Sequence, residues 1–392
     1  MKIAIISICS FPNGMASTNR VNAICRGLIE AGDIPTVIMP FPTESYESKT
    51  TLPECGYWKG IRYVHISGRR RAKSRILRAL ALKTGYRYHI GVARTKKWLK
   101  ENPQDIVIIY NDECRDLRDF GKAIKDIGAK AIFIFDEYPT PIREYGAQSL
   151  PDEKRNKFTQ ILPMFDGYVS INKVLADFYN QMVHKPTLEM SMIVDTARFT
   201  PTEGPRREWI TYMGQILPDK DNIINIIEAF DLIKDEFPDV SFHIFGKGNE
   251  KSLEGIKCKI RNLGLEKRVI LEGFLPDNKV TQTMMTSKIL VSSQPDNKRV
   301  EGVLSTKLAE YVASGTPTVM CKVGANNDYL SDNDCFFAIP DNPEDYADKL
   351  RYILKNYDKA LECASHGKQT VRDKYSMNTQ GRRLSDFLKS LE

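Results

Sequence analysis

Short apolar runs rich in β-branched residues alternate with amphipathic helical patterns along nearly the whole chain. The runs that we predict to be strands in the first half are IAIISI, TVIM, DIVIIY, AIFIFDE and GYVSI, which start at Ile3, Thr36, Asp105, Ala131 and Gly167. Helical patterns lie between them and end at Gly32 and Gly128, because glycine readily adopts the left-handed conformation of a helix C-cap. This alternation is typical of βαβ units, so we expect an α/β protein with Rossmann-like parallel sheets.

One stretch interrupts the alternation: FTPTEGPRR, from Phe199 to Arg207, is rich in proline, glycine and charge. The strands that we predict after it are WITYMG, SFHIFG, RVILEG, ILVSS and TPTVM. Two domains suit a chain of 392 residues, since a domain commonly has roughly 100 to 200 residues. We predict a first domain over residues 1–200, a second over 201–370, and a C-terminal helix over 371–392. Packing of this helix back on the first domain is one alternative. The two sheets are expected to face one another across a cleft at the carboxyl ends of their strands.

Composition excludes several classes of protein. The chain has no run of about 18 apolar residues, the length that a membrane-spanning helix needs. The opening MKIAIISICSF contains a short apolar run with no small-residue cleavage site after it, so a buried strand is favoured over a signal peptide. The 8 cysteines include no C-x-x-C pair, and we interpret them as reduced thiols of a cytoplasmic protein without a zinc site.

Positive charge is concentrated in one segment. The net charge is +7, but residues 69–100 contain 12 Lys and Arg and no Asp or Glu, so the rest of the chain is slightly acidic. Within the segment, KSRILRALALK places Ile76, Leu77 and Leu80 on one helical face with basic residues such as Arg78 around it. Such a basic amphipathic helix suits a peripheral position on an anionic membrane surface. The alternative is a helix that packs its leucines on its own domain. Nucleic acid is a weaker alternative, since no RNA-binding motif or zinc finger accompanies the charge.

Polar residues follow two predicted strands of the first domain. The loop after the first strand contains Gly14 and leads into a helix that carries Arg20, so its backbone N–H groups are available to an anion. It is not a G-x-G-x-x-G fingerprint, and an ordinary capped turn is the alternative. AIFIFDEYPTPIREYG places Asp136 and Glu137 at the carboxyl end of another strand. We take Arg20, Asp136 and Glu137 as candidate ligand-binding residues, with a structural turn as the alternative for the two carboxylates.

Three stretches of the second domain combine glycine, lysine and helix starts. YMGQILPDKDN places Gly214 at a strand end and Lys220 near a helix start, where a phosphate-binding cation belongs. FHIFGKGNEKSL ends a strand at Gly246-Lys-Gly248, where missing side chains allow close backbone approach to a ligand. A plain turn is the alternative at both places.

The most informative stretch is EGVLSTKLAEYVASG. Ser305 and Thr306 are good N-cap residues for the helix that follows. Its free N–H groups and positive dipole end suit a diphosphate. Glu310 comes about one turn later, where its carboxylate is placed to accept from ribose hydroxyls.

The order of these motifs resembles the nucleotide-sugar glycosyltransferases of family 4, the group 1 retaining enzymes with the two-domain GT-B fold. The resemblance covers nearly the whole chain. It includes the first glycine-containing loop, IVDTARF, GQILPDKDNIINIIEAF, HIFGKGNE, LGLEKRVILEGFLP and TKLAEYVASGTPTV, in the family's order.

The resemblance also implies roles for particular residues. Lys220 stands where the family has a lysine that holds the donor diphosphate, and Gln215 stands where it has an arginine. Glu310 matches the second of two family glutamates, the one that binds ribose, and Glu301 lies one residue out of register with the first. Leu304, Ser305, Thr306 and Lys307 align with the phosphate-binding turn, and Lys307 is a candidate for the charge that Gln215 lacks.

The family commonly has a histidine after a first-domain strand, where this chain has Tyr110 and Asn111. The histidines of this chain lie outside the motifs and we interpret them as surface or packing residues: His65, His89, His184, His243 and His366.

The function implied is transfer of a hexose-type sugar from a nucleoside diphosphate sugar to a hydroxyl of a cell-surface polysaccharide or lipid-linked glycan precursor, with retention of configuration. The catalytic residues expected are Lys220, Glu310 and Glu301, and the donor contacts expected are Gly14, Gly214, Gln215, Gly246, Ser305, Thr306 and Lys307. The acceptor-side candidates are Arg20, Asp136 and Glu137. No cofactor or metal is expected, because amides and cations take the place of a metal beside the diphosphate. We expect a cytoplasmic enzyme without a nucleic-acid partner. Peripheral attachment to the inner face of the membrane is an alternative location.

Three other functions stay open. Gln215 and the displaced Glu301 suit a catalytically degenerate protein that binds a sugar nucleotide or a membrane surface. A sugar-nucleotide epimerase or a phosphorylase is possible on the same fold. A nicotinamide enzyme is disfavoured, because neither half carries the dinucleotide fingerprint.

Overall fold

The structure is a computed structural model that describes residues 1–14, 16–111, 113–200, 204–217 and 220–391, and for Leu77, Arg78 and Leu82 the backbone alone. The linker residues 201–203 and the side chains of Leu77 and Arg78, on which the sequence analysis drew, lie outside the described residues. The chain forms two compact units: Met1–Ile193 with Met377–Glu392, and Val194–Ser376.

Each unit is built around one sheet. The strands of the first sheet are β1 (Lys2–Ser7), β2 (Ile34–Met39), β3 (Cys55–Trp58), β4 (Ile61–His65), β5 (Ile106–Tyr110), β6 (Lys130–Phe135), β7 (Gly167–Ser170) and β8 (Thr187–Glu189). Those of the second are β9 (Arg207–Ile216), β10 (Ser241–Gly248), β11 (Val269–Gly273), β12 (Ser287–Val291), β13 (Thr318–Cys321) and β14 (Phe336–Ala338).

Helices connect most of the strands. They are α1 (Ala16–Glu30), α2 (Arg75–Thr84), α3 (Tyr86–Glu101), α4 (Cys114–Lys125), α5 (Ile142–Tyr145), α6 (Asp152–Ile161), α7 (Lys173–Asn180), α8 (Ile223–Ile233), α9 (Glu250–Asn262), α10 (Asp277–Thr286), α11 (Lys298–Glu301), α12 (Thr306–Ala313), α13 (Asn326–Tyr329), α14 (Pro343–Lys355), α15 (Tyr357–Tyr375) and α16 (Met377–Lys389). Two short 3-10 helices cover Leu162–Met164 and Thr196–Arg198. None of the helices in the described ranges has both the length and the apolar character that crossing a bilayer demands.

Both sheets are parallel apart from one edge strand. The first has the order β3-β4-β2-β1-β5-β6-β7-β8, in which only β3 is antiparallel to its neighbour, and the second has the order β11-β10-β9-β12-β13-β14. The strand order reverses beside β1 and β5 in the first sheet and beside β9 and β12 in the second. Ligands of open parallel sheets bind outside the carboxyl ends of the strands at such a reversal.

The predicted strands and helices account for the buried cores. Every residue of β5 is buried, as expected for a strand covered on both faces. In α8, Ile223, Ile226, Ile227 and Phe230 form an apolar face that is buried in the core of the second unit. The helix stops predicted at Gly32 and Gly128 both have positive φ angles, of 86° and 73°. The expected α/β class with two parallel sheets is therefore confirmed.

Several strands were not predicted. Strands β3 and β4 form a hairpin in which Trp58 pairs with Ile61 across Lys59 and Gly60. Both turn residues have positive φ, 48° and 83°, as a two-residue hairpin turn of this type requires. Strands β8 and β14 have three residues each, too few to produce a recognisable pattern.

The boundaries between the units differ from the predicted ones. We placed them at residues 200 and 370, whereas residues 194–200 and 371–376 belong to the second unit. The reason is that Val194 bridges to Ser376 and its N–H donates to the Tyr375 carbonyl at 2.9 Å. Residues 377–392, including α16, belong to the first unit.

Helix α16 packs on α1 through two glycines. A Cβ atom on Gly27 would lie 2.8 Å from the Gly381 Cα, and one on Gly381 would overlap the Gly27 backbone. The two helices therefore touch backbone to backbone, and this contact ties the C-terminal helix to the first unit.

Gly381→Ala is expected to destabilise the first unit by about 1 to 3 kcal/mol, because the added methyl group has no room. Gly255→Ala in α9 is the matched control: its Cβ would meet nothing within 4 Å, so alanine should stabilise that helix by about 0.5 to 1 kcal/mol. Urea denaturation followed by circular dichroism measures both. Equal effects of the two substitutions would contradict the close helix contact.

His65 is a buried residue at the end of β4. Its side chain packs against the first loop, with Nε2 3.0 Å from the Phe11 carbonyl oxygen, and the residue is 3% exposed. Burial, helped by the nearby Arg69 charge, lowers the pKa of His65 from 6.5 to about 4. The folded state therefore holds a neutral imidazole that donates from Nε2, in agreement with the packing role that we expected.

Because the folded pKa of His65 lies below the unfolded one, its contribution to stability is complete above pH 6.5 and is lost as the pH falls towards 4. The loss amounts to about 3 kcal/mol at pH 4. His65→Gln should flatten this part of the curve of unfolding free energy against pH, measured by urea titration between pH 7 and 4. His89→Gln, at an exposed position, should keep the wild-type slope. A wild-type slope in His65→Gln would refute the assignment.

Candidate functional site

The carboxyl end of β9 gathers most of the predicted donor residues. Gly214 and Gln215 are among the last residues of this strand. Lys220 follows the strand, and its N–H donates to the Leu217 carbonyl at 3.0 Å. Gln215 is exposed and Lys220 is half-buried. These residues lie where the strand order of the second sheet reverses, the usual ligand position in such sheets.

The two predicted glycines Gly214 and Gly246 face one another across adjacent strands. They are register partners in the β9–β10 pairing, and a Cβ on Gly246 would overlap the Gly214 carbonyl oxygen. We expected the strand to end at Gly246 and this glycine to leave room for a ligand, and the ligand contact stays a prediction. Strand β10 continues to Gly248, and the missing side chain of Gly246 makes room for β9.

Lys307 reaches the same place from α12. A Cβ on Gly214 would collide with the Lys307 Cε, so the lysine stem passes directly over this glycine. Its ammonium lies 5.2 Å from the centre of the Tyr212 ring and forms an ion pair with the Asp221 carboxylate. Lys307, proposed from the sequence to replace a missing charge, therefore already has a counter-ion.

Asp221 was missed by the sequence analysis. Its side chain is 3% exposed, although it directly follows Lys220 in a polar turn. Burial and then the Asp221 charge raise the pKa of Tyr212 well above its usual value, while the Tyr212 hydroxyl donates to the Gln215 carbonyl at 2.9 Å. No local pattern marks Asp221, since its partner is distant in sequence.

The start of α12 has the geometry expected of an anion site. Ser305 is its N-cap residue and makes no capping bond with its side chain. Ser305 is buried whereas Thr306 is exposed. The first N–H groups of a helix have no partner within the helix and carry the positive end of its dipole.

Glu310 is paired with a residue that precedes the second sheet. Its Oε1 lies 3.3 Å from Nη1 of Arg198, and Nη2 of the same arginine lies 3.5 Å from the Thr281 Oγ1. Burial raises the pKa of the Glu310 carboxyl, and the Arg198 charge opposes this. Arg198 belongs to the IVDTARF motif, but we did not single it out.

Glu301 is separate from this pair. It is the last residue of α11, where it forms an ion pair with Lys298 and its side chain is half-exposed. In the sequence, Glu301 lies one residue out of register with the first of the two family glutamates. The structure gives Glu301 a local partner one turn away on its own short helix.

The acceptor-side candidates lie in the first unit. Arg20 is buried and donates to the carbonyls of Met190 at 2.6 Å and Ser191 at 3.0 Å. Asp136 accepts from the Tyr110 hydroxyl, and burial followed by the Asp136 charge raises the pKa of that hydroxyl. Tyr110 ends β5 and Asp136 follows β6, so both lie at the carboxyl edge of the sheet.

Two further candidates in this unit have local structural contacts. The Glu137 carboxylate is 3.8 Å from Nε of Arg143. A Cβ on Gly14 would lie 2.8 Å from the Ser10 carbonyl oxygen and would collide with the Thr18 hydroxyl. Gly14 therefore allows tight packing of the first loop against α1, which is the capped-turn alternative.

In the part of the chain that the structure describes, no three His, Cys, Asp or Glu side chains converge in a way that would hold a metal ion.

Known proteins resemble this chain in sequence. Residues 194–370 match the family model described as glycosyl transferases group 1. A poly(ribitol-phosphate) alpha-N-acetylglucosaminyltransferase from Staphylococcus aureus is 27% identical over 169 residues, which are 43% of this chain and 32% of that protein. The match thus spans about a third of the curated relative.

Solved structures resemble the whole chain in fold. Sucrose-phosphate synthase from Thermosynechococcus elongatus has a TM-score of 0.76 at 12% identity, covering 100% of this chain and 98% of that one. HepE from Anabaena in complex with UDP has a TM-score of 0.69 at 13% identity, covering 100% of both chains. TarM from S. aureus in complex with Fondaparinux, alpha-GlcNAc-glycerol and UDP has a TM-score of 0.60 at 18% identity, covering 76% of this chain and 59% of that one.

These similarities confirm the resemblance drawn from the sequence motifs. The matched region coincides with the unit that carries Lys220, Lys307 and Glu310, and the full-length structural matches extend to both sheets. Residues 194–370 therefore resemble the group 1 glycosyltransferases in sequence, and the whole chain has the two-domain GT-B fold.

Proposed function

We propose that this protein transfers a hexose-type sugar from a nucleoside diphosphate sugar to a hydroxyl group of a cell-surface polysaccharide or lipid-linked glycan precursor. One observation carries the proposal. At the carboxyl end of β9, the turn that carries Lys220 and Asp221 meets Lys307, which is in the first turn of α12, within the unit that matches the family. A helix N-terminus beside lysines is the arrangement that binds a diphosphate.

Uridine diphosphate is the nucleotide that we propose first. HepE was solved with UDP and with UDP-glucose, and TarM with UDP. Both share the fold of this chain at low sequence identity, so they support the choice of probe. The sugar proposed is a hexose or an N-acetylhexosamine, as in the name of the S. aureus relative.

For the acceptor we propose a hydroxyl-rich polymer. The S. aureus relative is named for poly(ribitol-phosphate), a polyol carrying phosphates. The basic segment of the first unit suits an acceptor that is anionic or presented at an anionic surface. Arg20, Asp136 and Tyr110, at the carboxyl edge of the first sheet, are the acceptor-side residues of the proposal.

The proposed reaction is front-face substitution. The acceptor oxygen bonds to the anomeric carbon on the side from which the diphosphate leaves, so configuration is retained. The bond between that carbon and the phosphate oxygen breaks, and the leaving diphosphate takes the acceptor proton. The protein stabilises the charge on the diphosphate through Lys220, Lys307 and the backbone N–H groups at Ser305 and Thr306.

Glu310 is proposed to orient the donor. Its carboxylate is set by Arg198 at 3.3 Å, so it is available as an acceptor for ribose hydroxyls only in the orientation that this pair allows. Glu301 is the remaining candidate for the sugar side. No metal is assigned to the reaction.

A second candidate function is favoured by two observations. Gln215 is neutral where the resemblance implies an arginine, and Glu301 is held by Lys298 on its own helix. A protein that binds a sugar nucleotide without transferring the sugar would show both features. An epimerase on the same fold would instead change a stereocentre of the donor without any acceptor.

The basic segment is proposed to contact an anionic membrane surface. In α2, Ile76 is 79% exposed and Leu80 is 55% exposed, so these two apolar side chains do not pack on the domain. Basic side chains at Arg71, Arg75 and Lys83 are exposed beside them. Each basic residue near an anionic membrane surface contributes about 1 kcal/mol to the free energy of membrane binding.

Lys220→Ala should lower the rate of sugar transfer by about 10²- to 10³-fold, because one contact to the leaving diphosphate is lost. It should also reduce the stabilisation that UDP gives, from about 2.7 kcal/mol for the wild type at 100 times its dissociation constant to about 1.4 kcal/mol if the affinity falls tenfold. Thermal denaturation with UDP, GDP, ADP, CMP and dTDP, together with product analysis, measures both.

Lys355→Ala at the exposed end of α14 is the control and should keep wild-type values. Unchanged turnover in folded Lys220→Ala would overturn the site, and transfer abolished by EDTA would overturn the metal-free mechanism. UDP binding without transfer to any glycan would favour the second candidate.

The double substitution Ile76→Asp, Leu80→Asp should abolish co-sedimentation with phosphatidylglycerol vesicles and leave UDP binding unchanged. Acidic side chains on this face remove the apolar contact and repel the anionic surface. Leu232→Asp, at an exposed apolar position of the second unit, should sediment like the wild type. A wild-type protein that stays in the supernatant would contradict the membrane proposal.

A further inference from the structure

The second unit contains an ion pair directly at the proposed diphosphate site. The Lys307 ammonium pairs with the Asp221 carboxylate, and their side chains are 17% and 3% exposed. The two residues are 86 positions apart and meet beside the end of β9. The attraction between these two charges is stronger than that of an exposed pair, because little solvent screens it.

The position of the lysine is fixed by packing. Its stem passes over Gly214, where any Cβ would collide with it, and its ammonium lies 5.2 Å from the Tyr212 ring centre. Lys307 is also in the first turn of α12, the helix whose N-terminus we assign to the donor phosphates. The ammonium therefore has two competing anions: the Asp221 carboxylate and, in the complex, a phosphate.

The position of the aspartate is fixed by the backbone. The Asp221 N–H donates to the Leu217 carbonyl at 2.7 Å, and the N–H of the next residue, Asn222, donates to the Ser293 carbonyl at 2.9 Å. Asn222 then caps α8 by accepting from the Asn225 N–H. The backbone at Asp221 is thus anchored next to the ends of β9 and β12, which limits how far the carboxylate can follow the lysine.

The net positive charge of this site is small for a site that binds a diphosphate. Lys220 and Lys307 bring two positive charges and Asp221 one negative charge, while Gln215 adds none. A diphosphate that approaches Lys307 must overcome the attraction of Asp221 for the lysine and the repulsion between the carboxylate and the phosphates.

We propose that Asp221 is an internal counter-ion of the donor site, which holds Lys307 over Gly214 in the free protein and is displaced from it by the donor diphosphate. The inference rests on the proposed function. Asp221 acts through Lys307 and is a positioning residue. Its charge keeps the affinity for the nucleotide product moderate, which favours release after transfer.

The test is titration calorimetry with UDP and with uridine, which has no phosphate. Asp221→Asn should tighten UDP binding by about tenfold or more, because the buried negative charge beside the phosphates is gone. It should leave uridine binding within about twofold, because only phosphates are competed for. A purely structural role would shift both ligands together.

Glu208→Gln is the matched control. Glu208 is at the opposite end of β9, in an ion pair with Lys288 at 2.6 Å, so this substitution removes the same charge from the same unit, about 20 Å of strand away from Gly214. UDP should bind Glu208→Gln as it binds the wild type.

A second variant covers the case in which Asp221→Asn does not fold. Lys307→Gln should weaken UDP binding by about tenfold and leave uridine binding unchanged, because a charge-assisted contact is lost. If the wild type does not bind UDP or any other nucleoside diphosphate, the proposed function is wrong. If it binds UDP but Asp221→Asn binds no tighter than Glu208→Gln, or Lys307→Gln weakens both ligands equally, the counter-ion inference is wrong.

Discussion

The close approach of β9 and β10 at their carboxyl ends determines the geometry of the candidate site. Gly214 and Gly246 face one another there, and a side chain on Gly246 would overlap the Gly214 carbonyl oxygen. The same absence of a side chain on Gly214 leaves the space through which the Lys307 stem passes. One pair of glycines therefore sets both the spacing of two central strands and the location of a cation, next to the point where the strand order reverses.

The candidate site carries less positive charge than the family resemblance implies. The resemblance implies an arginine and a lysine at the diphosphate, whereas this chain has Gln215 and Lys220. Lys307 supplies a second positive charge, but Asp221 neutralises it in the free protein. Under the proposed function, the helix N-terminus at Ser305, which makes no capping bond with its side chain, contributes a larger share of the anion site. In this account, the net positive charge beside the donor diphosphate is smaller than in the family pattern.

Much of the fold could be predicted because the periodic signals were strong. Continuous β-branched runs gave the central strands, and glycines ended helices at the expected places. The hairpin of β3 and β4 was missed because Lys59 with positive φ is an unusual turn residue. The pair of Asp221 and Lys307, and that of Arg198 and Glu310, were missed for a different reason. Each joins residues 86 or more positions apart, and only the packed sheet brings them together.

The central claim is that the diphosphate of the donor binds between Lys220 and the start of α12. A crystal structure of the protein with UDP tests it most directly. The account predicts phosphate oxygens within hydrogen-bond distance of the Lys220 ammonium and of the Thr306 N–H, at about 2.7 to 3.2 Å. A diphosphate bound elsewhere in the second unit, or in the first unit beside Arg20, would contradict it.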